Sequence, residues 1–453
     1  MIRMQLSDAA GQIGASFSGP DGWFNSVSTD SRSIRPGELY CALRGTNFDG
    51  HDFCSRAEQA GALGAIVERV APSTFAQLEV TDSRIALGEL ASAWRRRFEL
   101  PIVGVTGSNG KTTVKEMIAS ILSVNSSVLS TRGNLNNEVG VPQTLFRLND
   151  KHDYAVIEMG ASHVGEIQWL ARIAQPQVGV ITLCAPAHIE GFGTVERIAQ
   201  AKGELYAGLA TGGTAVINAD DEFASYWCKI ADDKRILRFG KLKSADVCAQ
   251  NISVLGVGKG VQFDLQLPNA TLDIALPFDG SHNVSNALAA AAVAYALDIS
   301  SESIKRGLES ATKVEGRLCV YAGQFESKII DDSYNANPAS LAAAVELLGQ
   351  EDGETCLILG DMGELGSDAI KAHRDAGAAI RHAGIDRLYT LGDLSTHAAT
   401  EFGRGAQSFR DIDGLLSRLH SDLTYSATIL VKGSRFMRME RIVQALAPEA
   451  RPC

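Results

Sequence analysis

The stretch that decides the fold is GVTGSNGKTTVKEM, Gly104 to Met117. The short apolar run Pro101-Ile-Val-Gly-Val105 leads into it, and a helix-like run follows. Gly107 and Gly110 let the backbone turn its N–H groups inward around phosphate oxygens. Ser108 and Asn109 fill the turn, and Lys111 sits where an ammonium meets terminal phosphates. The hydroxyl of Thr112 or Thr113 is placed to ligate magnesium, and the helix that follows turns its positive end to the anion. A strict GxxxxGK[ST] loop has glycine where this chain has Val105, so the loop is a GxxGxxGKTT variant. Strand, loop, Lys-Thr-Thr and helix agree, which argues against a glycine turn with an incidental lysine.

Apolar strands continue downstream: YAVIEMG (154–160), VGVITL (178–183) and TAVINAD (214–220). Helical segments lie between them, which reads as a parallel sheet covered by helices. At 252–278 the pattern changes to apolar–polar alternation with turns, an antiparallel patch, and NVSNALAAAAVAYAL is then a buried helix. In the last third SKIIDDS, TCLILGD, RLYTLG and ATILVKGS read as four strands, each followed by a helical stretch. That is a second, Rossmann-like α/β unit, without a GxGxxG after its first strand. Before the phosphate loop, GELYCAL and ALGAIVE are strand-like, and LASAWRRRFEL closes a small α/β unit. The expectation is an α/β protein of three domains: 1–98, a central P-loop domain at 99–314, and a Rossmann-like domain at 315–453.

Bulk properties agree. A chain of 453 residues exceeds one ordinary core. Hydrophobic content of 45% and charged content of 21% are those of a soluble protein. A net charge of -11 argues against nucleic acid or anionic membrane as partner. The first residues lack the apolar core of a signal peptide, and the longest small and apolar run, Ala287 to Leu297, is too short to span a bilayer. Eight cysteines are scattered without a CxxC pair, so neither a zinc site nor a disulfide framework is suggested. A cytoplasmic protein is expected.

Three further segments carry chemistry. Glu158 ends an apolar strand, where a carboxylate can hold magnesium directly or through water. His188 follows the strand 178–183, at the end where α/β sites form, and Lys202 lies downstream on a helix. An ammonium is a poor neighbour for a divalent cation. Lys202 fits there only with its charge reversed, as carbamylation by CO2 would do; the alternative is a solvated helix lysine. In SYNANP (333–338), Tyr334, Asn335 and Asn337 can fix a small dipeptide or the nucleotide, while Asn337 and Pro338 also read as a helix cap.

GSNGKTT, IEMGASHVGEI, AHIEGFG…AKGEL, LPFDGSHNVSNALAAAA and VEGRL occur in the order found in the Mur ligase family, which the chain resembles over nearly its whole length. The resemblance implies an ATP-dependent amide ligase. Glu158 and His188 then resemble magnesium ligands, two ions being expected, and Lys202 resembles the family's carbamylated lysine. His282, Asn283 and Asn286 resemble its HNxxN nucleotide-site residues. Arg317 resembles the arginine that reaches ATP phosphate from the third domain, and Asp332 a ribose or nucleotide contact. Glu315 stands where proline is common before the Gly-Arg. VSTDSRS resembles the first-domain site for a UDP-sugar peptide, with Ser28, Thr29, Asp30, Ser31 and Arg32 supplying short polar groups and one cation for uracil and diphosphate. TRGNLNNEVGVP and DDSYNANPASLAAAVELL resemble the branch that adds D-alanyl-D-alanine to UDP-N-acetylmuramoyl-tripeptide, with Asn134, Asn136 and Asn137 offered to a peptidyl carboxylate and its amides. The alternatives are a sister ligase that adds a diamino acid and a P-loop ATPase or switch that makes no bond. A monomer is expected.

Overall fold

The computed structural model describes residues 2–70, 75–187, 189–242, 244–422 and 426–448. The phosphate-loop strand Ile102–Thr106 is buried at all five positions, as a strand covered on both faces must be. It lies inside a nine-stranded sheet, flanked in parallel by Tyr154–Glu158 and Val178–Ile181. The chain leaves Ile102–Thr106 for Val128–Ser130 on one side, fills the gap with Tyr154–Glu158, then crosses to Val178–Ile181 on the other. That reversal opens a crevice at the carboxyl ends of the three strands. Glu158 pairs in register with Val105, and Ile181 with Thr106, so the loop, the carboxylate and Thr182 emerge at one level.

The expected antiparallel patch is present, as Val247–Val254, Val261–Leu267 and Ala270–Leu276. It is not a separate layer. Val247–Val254 pairs in parallel with Arg235–Gly240 and so extends the same sheet. The helix His282–Ala296 buries every residue from Ala287 to Ala294. Alanine there lets it lie close against the phosphate-loop helix Lys111–Leu122, and both belong to one core with Val103, Val156 and Phe263.

The first part of the chain forms a five-stranded sheet, three of whose strand pairs are parallel, and the helix Ser83–Arg95. That helix is shared: Leu87, Leu90 and Trp94 join one core with Leu145, Ile157 and Leu170 of the middle sheet. Trp94 Nε1 donates to the Leu148 carbonyl at 3.2 Å, and Arg95 Nε to that of Ala174 at 3.1 Å. The last part is a six-stranded sheet with its own cores on both faces. Its four expected strands are Lys328–Asp332, Thr355–Gly360, Arg387–Leu391 and Thr428–Lys432, mutually parallel. Two edge strands went unseen in the sequence: Cys319–Ala322, antiparallel, and Ala406–Phe409. Both are four residues long and largely half-buried, so neither carries a full apolar run.

Candidate active site

The crevice of the middle sheet is closed on one side by the third unit, leaving a cleft of about 650 Å³. Ser108, Asn109, Gly110, Lys111, Thr113 and Glu158 line one wall, and Arg317, Asp332, Tyr334, Asn335 and Asn337 the other. His282, Asn283 and Asn286 stand at one part of it, and Asn134, Asn136 and Asn137 at another.

The loop is built for something to sit in it. A Cβ at Gly107 would lie 1.8 Å from Thr182 Oγ1, and one at Gly110, where φ is +79°, 2.4 Å from Asn286 Oδ1. Thr182 Oγ1 donates to the Asn109 carbonyl at 2.5 Å, and Ser108 Oγ to that of Ala185 at 2.8 Å. Side chains and carbonyls behind the loop are thus bonded, which leaves its front face for a phosphate. Lys111 Nζ donates to the Gly107 carbonyl at 2.8 Å. Burial lowers its pKa, Glu158 opposes this, and Arg317 adds to it.

Glu158 is 2% exposed. Its Oε1 accepts from Asn136 Nδ2 at 2.8 Å, and its N–H donates to Thr131 Oγ1 at 2.9 Å. Its Oε2 is buried without a partner. An orphaned carboxylate oxygen in the same cleft as the phosphate loop is a donor that fits magnesium. Lys202 is 3% exposed, 6.0 Å from the centre of the Phe192 ring, and its pKa is lowered to about 7, chiefly by burial and then by Lys111. A neutral amine is the form that reacts with CO2, so the burial suits carbamylation. His188 lies outside the described residues. Among those described, no three His, Cys, Asp or Glu side chains are grouped to hold a metal.

Arg317 lies 205 residues from Thr112 in the chain, yet its Nη2 donates to Thr112 Oγ1 at 3.0 Å. Its guanidinium stacks 4.6 Å from the Tyr334 ring centre, and its Nε is buried without a partner. Asn337 and Asn109 bridge the two walls, with Asn337 Nδ2 donating to Asn109 Oδ1 at 2.7 Å. Asn337 also caps the helix Pro338–Leu348 through a reciprocal bond with Ser340, so the cap expected from the sequence is present at a residue that also lines the cleft. Asn137 is partly spent on the backbone, its Oδ1 accepting from Gly140 at 2.9 Å. His282, half-buried at the cleft, has its pKa lowered to about 4, by burial and then by Lys432 and Lys241, which favours the neutral ring.

The stretch Ser28–Arg32 does not line the cleft. Arg32 is exposed and gives its guanidinium to Asp30 at 2.9 and 2.8 Å, which holds that carboxyl down at about 2. Thr29 Oγ1 accepts from Gln143 Nε2 at 2.9 Å, on the helix Gly140–Leu145 that follows the asparagine loop. The first unit is thus tied to the helix that follows the asparagine loop.

Sequence reasoning missed Lys432, which is 1% exposed, forms a salt bridge to Asp332 and donates to the Asn335 carbonyl at 3.1 Å. It ends the strand Thr428–Lys432 directly beside Asp332. Its position at the carboxyl end of an apolar strand was the available signal. Thr182, behind the phosphate loop, was missed for lack of any motif.

Three family descriptions match in chain order: the Mur ligase family catalytic domain at 24–95, the Mur ligase middle domain at 105–294, and the Mur ligase glutamate ligase domain at 316–435. The chain is 41% identical to the UDP-N-acetylmuramoyl-tripeptide--D-alanyl-D-alanine ligase of Escherichia coli (strain K12), over 98% of this chain and 99% of that one. It is 35% identical to the protein of the same name from Bacillus subtilis, over 94% and 92%. A crystal structure of MurF from Acinetobacter baumannii superposes with a TM-score of 0.93 at 36% identity, covering 98% of this chain and 99% of that one. A MurF ligase from Thermotoga maritima in complex with ADP superposes with a TM-score of 0.82 at 27% identity, over 93% and 96%. With the phosphate loop, the facing arginine and the three-part architecture, these likenesses identify the chain as a member of the Mur ligase family.

Proposed function

We propose that this chain is an ATP-dependent amide ligase that joins D-alanyl-D-alanine to UDP-N-acetylmuramoyl-tripeptide, releasing ADP and phosphate. The observation that carries the reading is the pairing of walls: Lys111, Thr112 and Glu158 on one unit face Arg317, Asp332 and Tyr334 on another. The relatives named above, alike over nearly their full length, support the choice of substrates.

A carboxylate acylates poorly because its leaving group would be oxide. ATP supplies the phosphoryl group that turns it into an acyl phosphate, whose leaving group is phosphate. The loop amides and Lys111 hold the phosphates, and Arg317 approaches from the other wall to offset charge spread over the transferring group. Thr112, Glu158, His188 and a carbamylated Lys202 would hold magnesium, which adds positive charge where the phosphates crowd. His282, Asn283, Asn286 and Asp332 border the space for the nucleoside. Asn134, Asn136, Asn335 and Asn337 offer neutral donors and acceptors to peptide groups. The dipeptide amine then attacks the acyl phosphate and the tetrahedral adduct collapses to the amide. Closure by the third unit excludes water and protects the acyl phosphate. Ser28–Arg32 is assigned to the UDP end, on the side marked by the bond between Thr29 and Gln143.

Both walls come from one chain, which suits a monomer. No helix among the described residues is long and apolar enough to cross a membrane, which fits a cytoplasmic reaction on a soluble nucleotide precursor. The test is phosphate release from ATP and magnesium with the UDP-tripeptide, with and without D-alanyl-D-alanine, and product mass from the same tube. Dipeptide-dependent phosphate with a pentapeptide product is expected. A requirement for a diamino acid and the UDP-dipeptide would move the chain to a sister branch. Hydrolysis indifferent to every acceptor would sink the ligase reading.

A further inference from the structure

The turn Leu255–Gly260 joins two strands of the middle sheet, yet its Val257 is packed in the third unit's core, with Leu318, Ile330 and Leu341. The Val257 N–H donates at 3.0 Å to Glu351 of that unit, and Glu351 also pairs with Lys328. On the other side of the turn, the N–H groups of Gly258 and Gly260 both donate at 3.0 Å to Asp279 Oδ1. Asp279 is 1% exposed. Its Oδ2 takes Lys313 Nζ at 2.5 Å. Lys313 lies in the irregular connection to the third unit, four residues before Arg317, and also reaches the Leu318 carbonyl at 3.4 Å.

Asp279 reaches the nucleotide wall as well. Its carbonyl accepts from Asn283 Nδ2 at 2.7 Å, and Asn283 Oδ1 accepts from Asn286 Nδ2 at 2.8 Å. Asn286 Oδ1 is the atom that leaves no room for a side chain at Gly110. Through its carboxylate Asp279 therefore ties the turn plugged into the third unit to the connection that carries Arg317, and through its main-chain carbonyl it reaches the helix behind the phosphate loop.

We propose that Asp279 and Lys313 form a pivot clamp, a pair of positioning residues that fixes the third unit so that Arg317 meets the phosphate wall. A buried ion pair is a weak source of stability compared with apolar packing, so fixed geometry is the gain that accounts for one here. Two backbone N–H groups and an ammonium converging on one carboxylate define its orientation fully. The phosphate cradle belongs to the middle unit alone, whereas Arg317 arrives through the clamp. Loosening the clamp therefore lowers kcat and spares KM for ATP. The proposal rests on the ligase reading for its kinetic readout.

The experiment uses the full chain and the variants Lys313→Met, Lys313→Arg, Asp279→Asn and the double Lys313→Met/Asp279→Asn. Product formation is measured over a range of ATP, and amide hydrogen exchange is followed without substrates. Lys313→Met is expected to lower kcat about tenfold, the rate equivalent of one charge-assisted hydrogen bond, with KM for ATP within about twofold. Lys313→Arg restores most of that loss. The double variant is no slower than the slower single one, because both remove the same link. Exchange at 255–260 and 314–318 quickens in Lys313→Met while the strands of the middle sheet stay protected. An unchanged kcat in Lys313→Met, multiplying losses in the double variant, or a raised KM with kcat retained would each overturn the clamp. If Asp279→Asn does not fold, the two Lys313 variants decide alone. If the unaltered chain makes no pentapeptide, the ligase reading fails, and the exchange pattern still tests the clamp.

Discussion

Replacing Gly110 by alanine tests whether the phosphate loop is as tightly fitted as the geometry says. Two costs can be separated. The first is conformational: φ at Gly110 is +79°, where an L side chain costs about 1–2 kcal/mol. Part of this, about 0.4–1 kcal/mol, is returned because alanine restricts the unfolded chain. The second is steric. The new Cβ would meet Asn286 Oδ1 at 2.4 Å, and Asn286 cannot simply swing away because its Nδ2 is bonded to Asn283 Oδ1 at 2.8 Å. Displacing it loses a buried hydrogen bond, about 1–3 kcal/mol when the partners are left unpaired. Gly212→Ala is the control, since φ there is +75° and nothing lies within 4 Å of the added carbon. The control should lose under about 1 kcal/mol and Gly110→Ala about 2–3 kcal/mol, a difference of several degrees in melting temperature at roughly 2–4 °C per kcal/mol. Thermal melting of both variants reads the difference directly. KM for ATP should rise at least about tenfold in Gly110→Ala alone, since the N–H groups that face phosphate move with the loop. Equal melting temperatures with an unchanged KM would refute the steric argument and with it the Asn286 contact.

Arg317→Lys keeps a charge but cannot both stack on Tyr334 and reach Thr112 with a planar fork; kcat should fall about 10²- to 10³-fold, with melting nearly unchanged, in the product assay. Lys432→Met leaves Asp332, half-buried at the cleft wall, without its cation, and a loss of roughly 2–4 kcal/mol, just under that of a fully buried pair, is expected in denaturant melts. Burial already raises the Asp332 pKa, and without Lys432 it rises further. The folded protein then holds a proton that the unfolded chain has lost, so the variant should regain stability as pH falls from neutrality towards about 4; a flat profile would contradict the pairing. Lys202, lowered to about 7, binds fewer protons folded than unfolded between about pH 7 and 10.4, so the group adds stability as pH rises through that window. Its neutral amine should take up ¹³C-labelled CO2, giving a carbamate carbon resonance that Lys202→Met abolishes; the same resonance in the variant would assign it elsewhere.

Much of this protein is written locally. A buried five-residue strand, glycines at the two positions where a Cβ would collide, and a Lys-Thr-Thr helix start are contiguous, so Gly107 to Thr113 could be read as a phosphate cradle without knowing what lies around them. A strand end likewise marked Glu158, because an apolar run shows where a sheet stops and a crevice begins. The helix cap at Asn337 was legible for the same reason: a cap is made with residues three and four positions away.

What spans the chain was not. Lys432 meets Asp332 a hundred residues away, and although VKGS ends an apolar strand, nothing local to it shows which carboxylate the lysine will meet. The boundary near residue 98 separates patterns but not cores, because Trp94 packs on the middle sheet. Nothing local to the chain shows that Thr29 will bond Gln143, 114 residues away, and so dock the first unit on the helix after the asparagine loop. Val257 shows the limit most plainly, as a turn residue by its surroundings in sequence and a core residue of another unit in space. Sequence fixes what depends on neighbours along the chain: periodicity, turns, caps and the chemistry of a loop. Which wall Arg317 faces, which carboxylate is left an unpaired oxygen and which residue bears the hinge depend on packing between distant segments, and only the tertiary structure decides them.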